Sequence, residues 1–320
     1  MIVIIIEFWP LCGGSQVENC FIREPNNDFI IDNELTVLTE SECENDAGVF
    51  GLLELKTCNV ELIFPRIENL LNELQLLFGV GEVTAIKLKQ AGYHSLADLL
   101  AHPRWGKAAN ELIRVIEAKD LVRLSRYGAS DLQLLSFFKA EDIKFIDIET
   151  LGLYYIHPVF LIGVLQFVGG VGYIRQFIAR DFSEEKAILL ETCNELKNTE
   201  VIISFNGRSF DLPYLKGRMK FYNLGEEFDS LHFDLLRQIR RDYKNVLPNC
   251  RLLTLEKHLF NQERFNDIPG SEMALYYNQY LDTEDSSYIR PILEHNARDL
   301  LSMAKIVGLV YAKRSDMDGD

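Results

Sequence analysis

The sequence predicts an α/β protein in which helices flank a mixed five-stranded sheet. Three apolar runs of strand length follow one another closely, and their short connections favour antiparallel neighbours. Two further strand-like runs each follow a helical pattern, the first of which is capped by Ser183 and runs to about Lys197. The last helix is predicted to begin near Glu294. The predicted strands are residues 145–149, 160–167, 172–178, 201–205 and 231–234.

Two different segments precede this sheet. Residues 1–64 are β-rich, because short apolar runs are separated there by Asn, Asp and Gly turn signals. Residues 65–140 are predicted to form a small helical domain, since apolar residues recur there at helical spacing. The sheet domain is predicted to cover residues 141–313, followed by a tail at 314–320. The apolar runs of the first segment are residues 1–6, 29–31, 35–38, 49–50 and 60–64.

The charge of the chain is unevenly distributed. The net charge is −15, and the first 61 residues hold twelve acidic residues against only Arg23 and Lys56. The acidic total is therefore weak evidence against a nucleic-acid partner of the rest of the chain. It also makes the N-terminal segment a candidate docking site for a protein partner.

The spacing of the six cysteines and the lengths of the apolar runs indicate where in the cell the protein is located. No two cysteines form a Cys-x-x-Cys pair, which favours reduced thiols in an intracellular, cytoplasmic protein. Four cysteines fall in the first 58 residues, but their spacing fits no common metal-binding pattern. No apolar run is long enough to span a bilayer, so no membrane partner is expected.

A glycine hairpin marks the helical segment. Gly79 and Gly81 precede a helical pattern that carries Lys87, and Ser95-Leu-Ala-Asp98 reads as a capping box. This arrangement resembles a helix-hairpin-helix module, in which backbone N–H groups bind a DNA phosphate. The alternative is an ordinary helical hairpin whose glycines only make the turn.

The first predicted strand of the sheet domain carries two carboxylates on one face. Strand side chains alternate, so Asp147 and Glu149 lie on the same side, about 7 Å apart along the strand. Two such groups on an apolar strand repel each other unless a cation lies between them, and hard oxygen ligands favour Mg²⁺ or Mn²⁺. The alternative is an edge strand with a solvated acidic face.

Two more acidic positions complete the pattern. Asp211 follows a buried strand and lies near the first turn of a helix, where an acidic side chain is favourable in any case. Near the C-terminus, His295, Asn296 and Asp299 share one face of the last helix, which could equally be an exposed polar face.

Taken together, these segments resemble a known superfamily. Asp147-Ile-Glu149, Asn206-x-x-x-Phe-Asp211 and His295-x-x-x-Asp299 are similar to the three motifs of DEDD (DnaQ-like) exonucleases, and the order of elements is that of a ribonuclease-H-like fold. Residues 66–312 look most like the YprB-like group, for reasons that include its upstream hairpin. Four further features carry that likeness: His232-Phe-Asp-Leu-Leu236, Leu252-Leu-x-Leu-Glu256, Asp267-Ile-Pro-Gly270 and the His295-Asn296 spelling.

The resemblance implies a two-metal phosphodiesterase. Asp147, Glu149, Asp211 and Asp299 would be catalytic and would bind two Mg²⁺ or Mn²⁺ ions. His295 would position or deprotonate the attacking water, although it stands four residues before Asp299 and the superfamily's histidine usually stands five before.

The expected substrate contacts follow from the same motifs. Backbone at Thr150 and Leu151 would contact the terminal nucleotide, and Asn206, Phe210 and Asn296 would position substrate or water. Arg208 would join Gly79, Gly81 and Lys87 in binding nucleic acid. Other basic residues nearby could follow the phosphate backbone or could equally form a solvated surface.

The predicted function is 3′→5′ exonuclease action on single-stranded nucleic acid, with DNA favoured over RNA because of the hairpin. The alternative is a catalytically weak nucleic-acid-binding or adaptor protein that keeps the ribonuclease-H-like fold.

Overall fold

The computed structural model describes residues 21–23, 34–58, 60, 62–63, 65–225, 228 and 230–317, with side chains between 34 and 311. The strand-like runs at 1–6 and 29–31, and the end of the tail at 318–320, lie outside these residues. The described elements form one mixed sheet with helices on both faces. Its strands are β1 Phe21–Arg23, β2 Leu35–Asn45, β3 Gly48–Thr57, β4 Ile143–Thr150, β5 Val159–Val168, β6 Val171–Ile178, β7 Val201–Ser204 and β8 Leu231–Asp234.

The five predicted strands are β4 to β8. β4, β5 and β6 pair antiparallel in succession, while β7 pairs parallel with β4 and β8 pairs parallel with β7. The short β5–β6 connection at Gly169 and Gly170 explains the antiparallel pair, since both glycines have positive φ values. The predicted fold class is therefore confirmed.

The sheet is larger than the five strands predicted. β3 pairs antiparallel with β6, from Gly51 opposite Ile178 to Lys56 opposite Tyr173, and β2 and β1 follow outward. The eight strands have the order β1-β2-β3-β6-β5-β4-β7-β8. The described strands of the N-terminal segment thus continue the same sheet.

Helices cover the sheet on both faces. The strand alternation directs Phe145, Asp147 and Glu149 to one side and Lys144 to the other. The ammonium of Lys144 contacts Glu195 of one helix, whereas Asp147 contacts Asn296 of another. The described helices are α1 Ile67–Leu71, α2 Glu82–Gln90, α3 Gly106–Glu117, α4 Leu121–Arg126, α5 Asp131–Leu134, α6 Glu185–Leu196, α7 Asp211–Phe221, α8 Leu235–Tyr243, α9 Leu252–Leu255, α10 Met273–Thr283 and α11 Ser286–Met317.

Some helix boundaries differ from the sequence interpretation. α11 begins at Ser286, well before Glu294, and includes Pro291. Asp181, rather than Ser183, caps the turn before α6, because its carboxylate accepts the Ser183 N–H at 2.6 Å. In the helical segment, α1 ends at Leu71 and a short 3₁₀ turn follows, so the apolar spacing does not produce one continuous helix.

The remaining sequence expectations concern cysteines and membranes. Cys58, Cys193 and Cys250 are free thiols, as expected, whereas Cys43 is disulfide-bonded, which differs from the expectation of six reduced thiols. None of the helices in the described ranges is both long and apolar enough to cross a bilayer.

Candidate active site

The centre of the candidate site is the face of β4 that α11 covers. Asp147 and Glu149 are partly buried there, and Phe145 on the same face is buried. The strand delivers both carboxylates to the same side, and the apolar residues around them exclude much of the solvent. Both carboxylates therefore depend on neighbouring polar groups.

A row across the sheet supports Asp147. Asp147 pairs with Gly163 of β5, which in turn pairs with Gln176 of β6. Asn296, fully buried on α11, lies over Gly163 and bridges the other two. Its amide donates to the Asp147 Oδ2 at 2.8 Å, and its Oδ1 accepts from Gln176 Nε2 at 2.8 Å.

Gly163 makes this bridge possible. A Cβ at position 163 would lie 2.0 Å from the Oδ1 of Asn296 and 2.9 Å from its Cγ. Only a residue without a side chain leaves room for the amide at this distance. The orientation of Asp147 on β4 is thus determined by residues on two other strands and one helix.

The loop between β7 and α7 positions Asp211. Asp211 is buried at the start of α7, where its carboxylate interacts with backbone groups of its own residue and of Ile148. The preceding turn is shaped by buried Asp234, whose two oxygens accept from the N–H groups of Asn206 at 2.8 Å and Arg208 at 3.1 Å. Asn206 adopts a positive φ of 72°, which Asn tolerates better than most residues.

The third segment contributes Asp299, which binds Arg264 and lies close to His295. Arg264 donates to its Oδ1 at 2.5 Å, and the Nε2 of His295 lies 3.6 Å from its Oδ2. Arg264 also forms a two-point contact with Glu256, at 2.8 and 2.5 Å. The Arg264 side chain is only 5% exposed, so this guanidinium belongs to the interior of the site.

His295 has a defined orientation. Its Nδ1 lies 2.8 Å from the Oδ1 of Asp267. Because a carboxylate can only accept, Nδ1 carries the proton and Nε2 is directed to Asp299. Burial opposes protonation of His295, but the hydrogen bond to Asp267 and the charge of Asp299 outweigh it and raise the pKa of His295.

The electrostatics show that the carboxylates form one cluster. Burial, followed by the charges of Asp299, Glu149 and Asp211, raises the pKa of Asp147 well above its ordinary value. Burial and the charges of Asp299, Asp211 and Asp267 do the same to the pKa of Glu149. Burial is also the main reason that the pKa of Asp211 rises to about 7. Such a cluster is stabilised by added positive charge.

The donor set fits a divalent cation by its chemistry. Carboxylate oxygens are the ligands that Mg²⁺ and Mn²⁺ prefer, and four carboxylates from β4, α7 and α11 influence each other electrostatically. Within the described part of the chain, however, no three His, Cys, Asp or Glu side chains are already arranged to hold a metal. Instead, Asn296 binds Asp147 and Arg264 binds Asp299.

The other residues predicted to contact substrate lie near this cluster. Thr150 ends β4, and its hydroxyl donates to the Gly152 carbonyl at 2.9 Å. The Leu151 N–H is bonded to the Pro158 carbonyl at 3.1 Å, so this N–H has a partner within the protein. Phe210, partly buried, directly precedes Asp211.

The predicted nucleic-acid contacts fall in two different segments. Arg208 is exposed beside the Asp211 loop and donates to the His232 carbonyl at 2.8 Å. Gly79, with a φ of 83°, and Gly81, the residue before α2, form the hairpin turn of the helical segment. Lys87 is exposed on α2. DNA contact by the hairpin stays a prediction.

Sequence reasoning did not assign a role to several residues of the site. Glu256 and Asp267 occur in two of the motifs that carry the family likeness, but their partners cannot be seen in the motifs. Arg264 lies in the segment between α9 and α10, which has no periodic pattern. Gln176 lies on the same face of β6 as the apolar Ile174 and Ile178, so the available signal was a polar residue on a face that alternation predicts to be buried.

Comparison with known proteins identifies the superfamily to which the fold belongs. A family model described as RNase_H superfamily matches residues 144–311, more than half of the chain. The chain belongs to the RNase H superfamily. The match covers β4 to β8 and every carboxylate of the cluster, so the superfamily domain and the candidate site coincide.

Two curated proteins are similar to parts of this RNase H superfamily chain. Uncharacterized protein YprB of Bacillus subtilis is 25% identical over 195 residues, which are 59% of this chain and 47% of YprB. A DNA polymerase of Methanocaldococcus jannaschii is 27% identical over 112 residues, 31% of this chain and 7% of the polymerase. The chain thus spans less than half the length of either relative.

Two solved structures have a weaker likeness. The family B DNA polymerase of Pyrobaculum calidifontis has a TM-score of 0.42 at 18% identity, covering 54% of this chain and 24% of its own. Escherichia coli Exonuclease I in complex with a dA16 oligonucleotide has a TM-score of 0.32 at 14% identity, covering 47% and 45%. At these scores neither structure establishes a common fold.

Proposed function

We propose that this protein is a divalent-metal-dependent 3′→5′ exonuclease of the DEDD type that acts on single-stranded nucleic acid. One observation carries the proposal. Asp147, Glu149, Asp211 and Asp299 come from β4, α7 and α11 of an RNase H superfamily domain. Burial and the charges of the neighbouring carboxylates raise the pKa values of Asp147 and Glu149. A structure bears the cost of such a cluster most readily where the carboxylates serve a function.

The roles of the residues follow from their contacts. The four carboxylates would hold two Mg²⁺ or Mn²⁺ ions, which when bound activate a water and stabilise the leaving 3′ oxygen. Asn296 holds the Oδ2 of Asp147 by a hydrogen bond, and Asp267 keeps the His295 ring in one tautomer. His295 then presents Nε2 toward Asp299, where it can orient or accept a proton from water.

The substrate preference rests on features outside the carboxylates. Arg208, exposed next to the Asp211 loop, would bind a phosphate, and the Gly79–Gly81 turn would supply backbone N–H groups to DNA. Asn206, Thr150 and Leu151 would contact the terminal nucleotide. We favour DNA over RNA because of the hairpin alone.

The test uses labelled oligonucleotides. Single-stranded DNA and RNA labelled at the 5′ or the 3′ end are incubated with the protein in Mg²⁺ or Mn²⁺, and products are resolved on a denaturing gel. A 5′ label should report a ladder that shortens one nucleotide at a time. Asp147→Asn should abolish the ladder, while Asp282→Asn, a change at an exposed aspartate on α10, should leave it intact. No ladder with wild-type protein in either metal would refute the proposal.

One observation favours a second function. The guanidinium of Arg264 forms an ion pair with Asp299. A catalytically weak protein that keeps the fold for nucleic-acid binding or as an adaptor would need a cationic side chain of this kind to compensate the charge of Asp299. Binding of oligonucleotides without hydrolysis in either metal would support this alternative.

A further inference from the structure

A run of large apolar side chains is exposed at the edge of the candidate site. The loop of residues 151–158, here called the apolar loop, joins β4 to β5 and begins two residues after Glu149. Leu153, Tyr154, Tyr155 and Ile156 are 79, 71, 57 and 71% exposed. Contiguous exposed apolar residues of this kind usually mark an interaction surface.

The protein itself holds the apolar loop in this conformation. The Tyr214 hydroxyl lies 3.1 Å from the Gly152 carbonyl and 3.0 Å from the His157 carbonyl, which fixes both ends of the loop to α7. The Arg218 guanidinium donates to the Tyr155 carbonyl at 3.2 Å. At Gly217 a Cβ would lie 2.6 Å from the Tyr155 ring, so the loop packs directly on the helix.

A buried ion pair supports these anchors. Arg218 binds Glu185 at 2.7 and 2.5 Å, and the same carboxylate accepts the Val159 N–H at 2.8 Å. Glu185 is 1% exposed. The first residue of β5 and the helix on which the loop packs are therefore both bound to Glu185, so the fold itself holds the apolar side chains in their exposed position.

Exposed basic side chains lie near the apolar loop. Lys216 and Lys220 are exposed on α7 and flank Gly217, the residue on which Tyr155 packs. Their spacing of four places both on one helix face. Arg208 is exposed at the same end of the domain, and both Arg208 and Lys216 act electrostatically on His232. Apolar side chains beside a line of basic groups suit a strand of bases and phosphates.

We propose that the apolar loop is a stacking surface for unpaired bases near the 3′ end of a nucleic acid. Bases would stack on Leu153, Tyr154 and Ile156, while the phosphates between them approach Lys216 and Lys220. A duplex offers no free base faces except at its ends, so this surface selects single strands. The inference deepens the proposed function, since it rests on the adjacent carboxylates for the polarity of the strand.

The experiment measures binding without hydrolysis. Fluorescence anisotropy is recorded with a 5′-labelled single-stranded oligonucleotide in EDTA, which removes divalent metal. The double substitution Tyr154→Ala with Ile156→Ala should weaken binding about ten- to a hundred-fold, because it removes the aromatic ring on which one base stacks and the apolar side chain beside it. Leu275→Ala and Val246→Ala, at exposed apolar positions on α10 and after α8, should not change binding.

A modified ligand separates stacking from charge. Abasic sites at the last positions of the 3′ end should weaken wild-type binding to a similar degree, and should weaken the double variant no further. Binding of a blunt duplex should not respond to the double substitution. Thermal unfolding of each variant verifies that the exposed substitutions leave the fold intact.

Several results would overturn the inference. These are an absence of wild-type binding, equal binding by the loop and control variants, or an unchanged affinity for the abasic oligonucleotide. A change in molecular mass on light scattering, with no change in oligonucleotide affinity, would assign the loop to a second copy of this chain. Because the assay contains no metal, its outcome is independent of whether the gel assay detects hydrolysis.

Discussion

The Gly163→Ala substitution tests the row of residues that supports Asp147. The new methyl group would meet the Asn296 Oδ1 at 2.0 Å, the Asn296 Cγ at 2.9 Å and a Leu300 methyl at 2.9 Å. Leu300 can rotate, but Asn296 is fully buried and is held by Gln176 and Asp147. The substitution therefore displaces the amide and breaks its hydrogen bonds.

The expected magnitude follows from these contacts. Overpacking a core costs about 1–3 kcal/mol, and the loss of one neutral and one charge-assisted hydrogen bond costs about 2–4 kcal/mol. Replacing glycine within a strand returns about 0.5–1 kcal/mol. The two costs do not add in full, because a shift of the Asn296 side chain relieves the overpacking but breaks the hydrogen bonds. We therefore expect the free energy of unfolding to fall by about 2–4 kcal/mol.

Urea unfolding of a double-mutant cycle measures the effect. In an Asn296→Ala background the clash disappears, so Gly163→Ala should cost less than about 1 kcal/mol and the coupling should be about 2 kcal/mol. Gly51→Ala is the matched control, because Gly51 is also a strand glycine and a Cβ there meets nothing closer than 3.4 Å. If Gly163→Ala were as mild as Gly51→Ala, or additive with Asn296→Ala, the proposed bridge would be wrong.

Three further predictions concern charge and metal. Arg264→Gln leaves the buried Glu256 and the partly buried Asp299 without their cation. It should lower the free energy of unfolding by about 3–5 kcal/mol, measured in urea at neutral pH; an unchanged midpoint would show that the guanidinium is dispensable. Burial lowers the pKa of His232 to about 4, below its ordinary 6.5. The contribution of uncharged His232 to the free energy of unfolding is therefore complete above pH 6.5 and is lost as the pH falls to 4. Between pH 6.5 and 4 the free energy of unfolding of the wild type should fall by about 1–2 kcal/mol more than that of His232→Asn, a figure reduced for the partial exposure of His232. Parallel curves of this free energy against pH would contradict the prediction. Mn²⁺ should raise the thermal midpoint of wild type and of Asp282→Asn but not of Asp147→Asn, and an equal rise in all three would place the metal elsewhere.

Local patterns predicted the central strands and the placement of acidic side chains on them. β4 is apolar except at Lys144, Asp147, Glu149 and Thr150, so alternation alone puts the two carboxylates on one face. The spacing of His295 and Asp299 likewise places them one helical turn apart on α11. These predictions depend only on residues near each other in the chain.

What the sequence could not predict depends on distant pairings. Nothing within residues 48–57 identifies β6 as the partner of β3, because an edge strand can pair with any exposed edge. The contact between Asn296 and Asp147 joins residues far apart in the chain, and it depends on a glycine in a third element. Arg264 lies in an irregular segment, where no periodicity indicates which way a side chain points.

The pairing of β3 with β6 has a consequence for synthesis of the chain. The β2–β3 hairpin leaves the ribosome long before β6 exists, and at about 5–20 residues per second it waits on the order of ten seconds for its partner. During this time the buried Leu53 and Leu55 and the free backbone groups of β3 have no cover from β6. The hairpin is then a template for pairing with neighbouring nascent chains, so the cell must keep this stretch apart until residues 171–178 have been made.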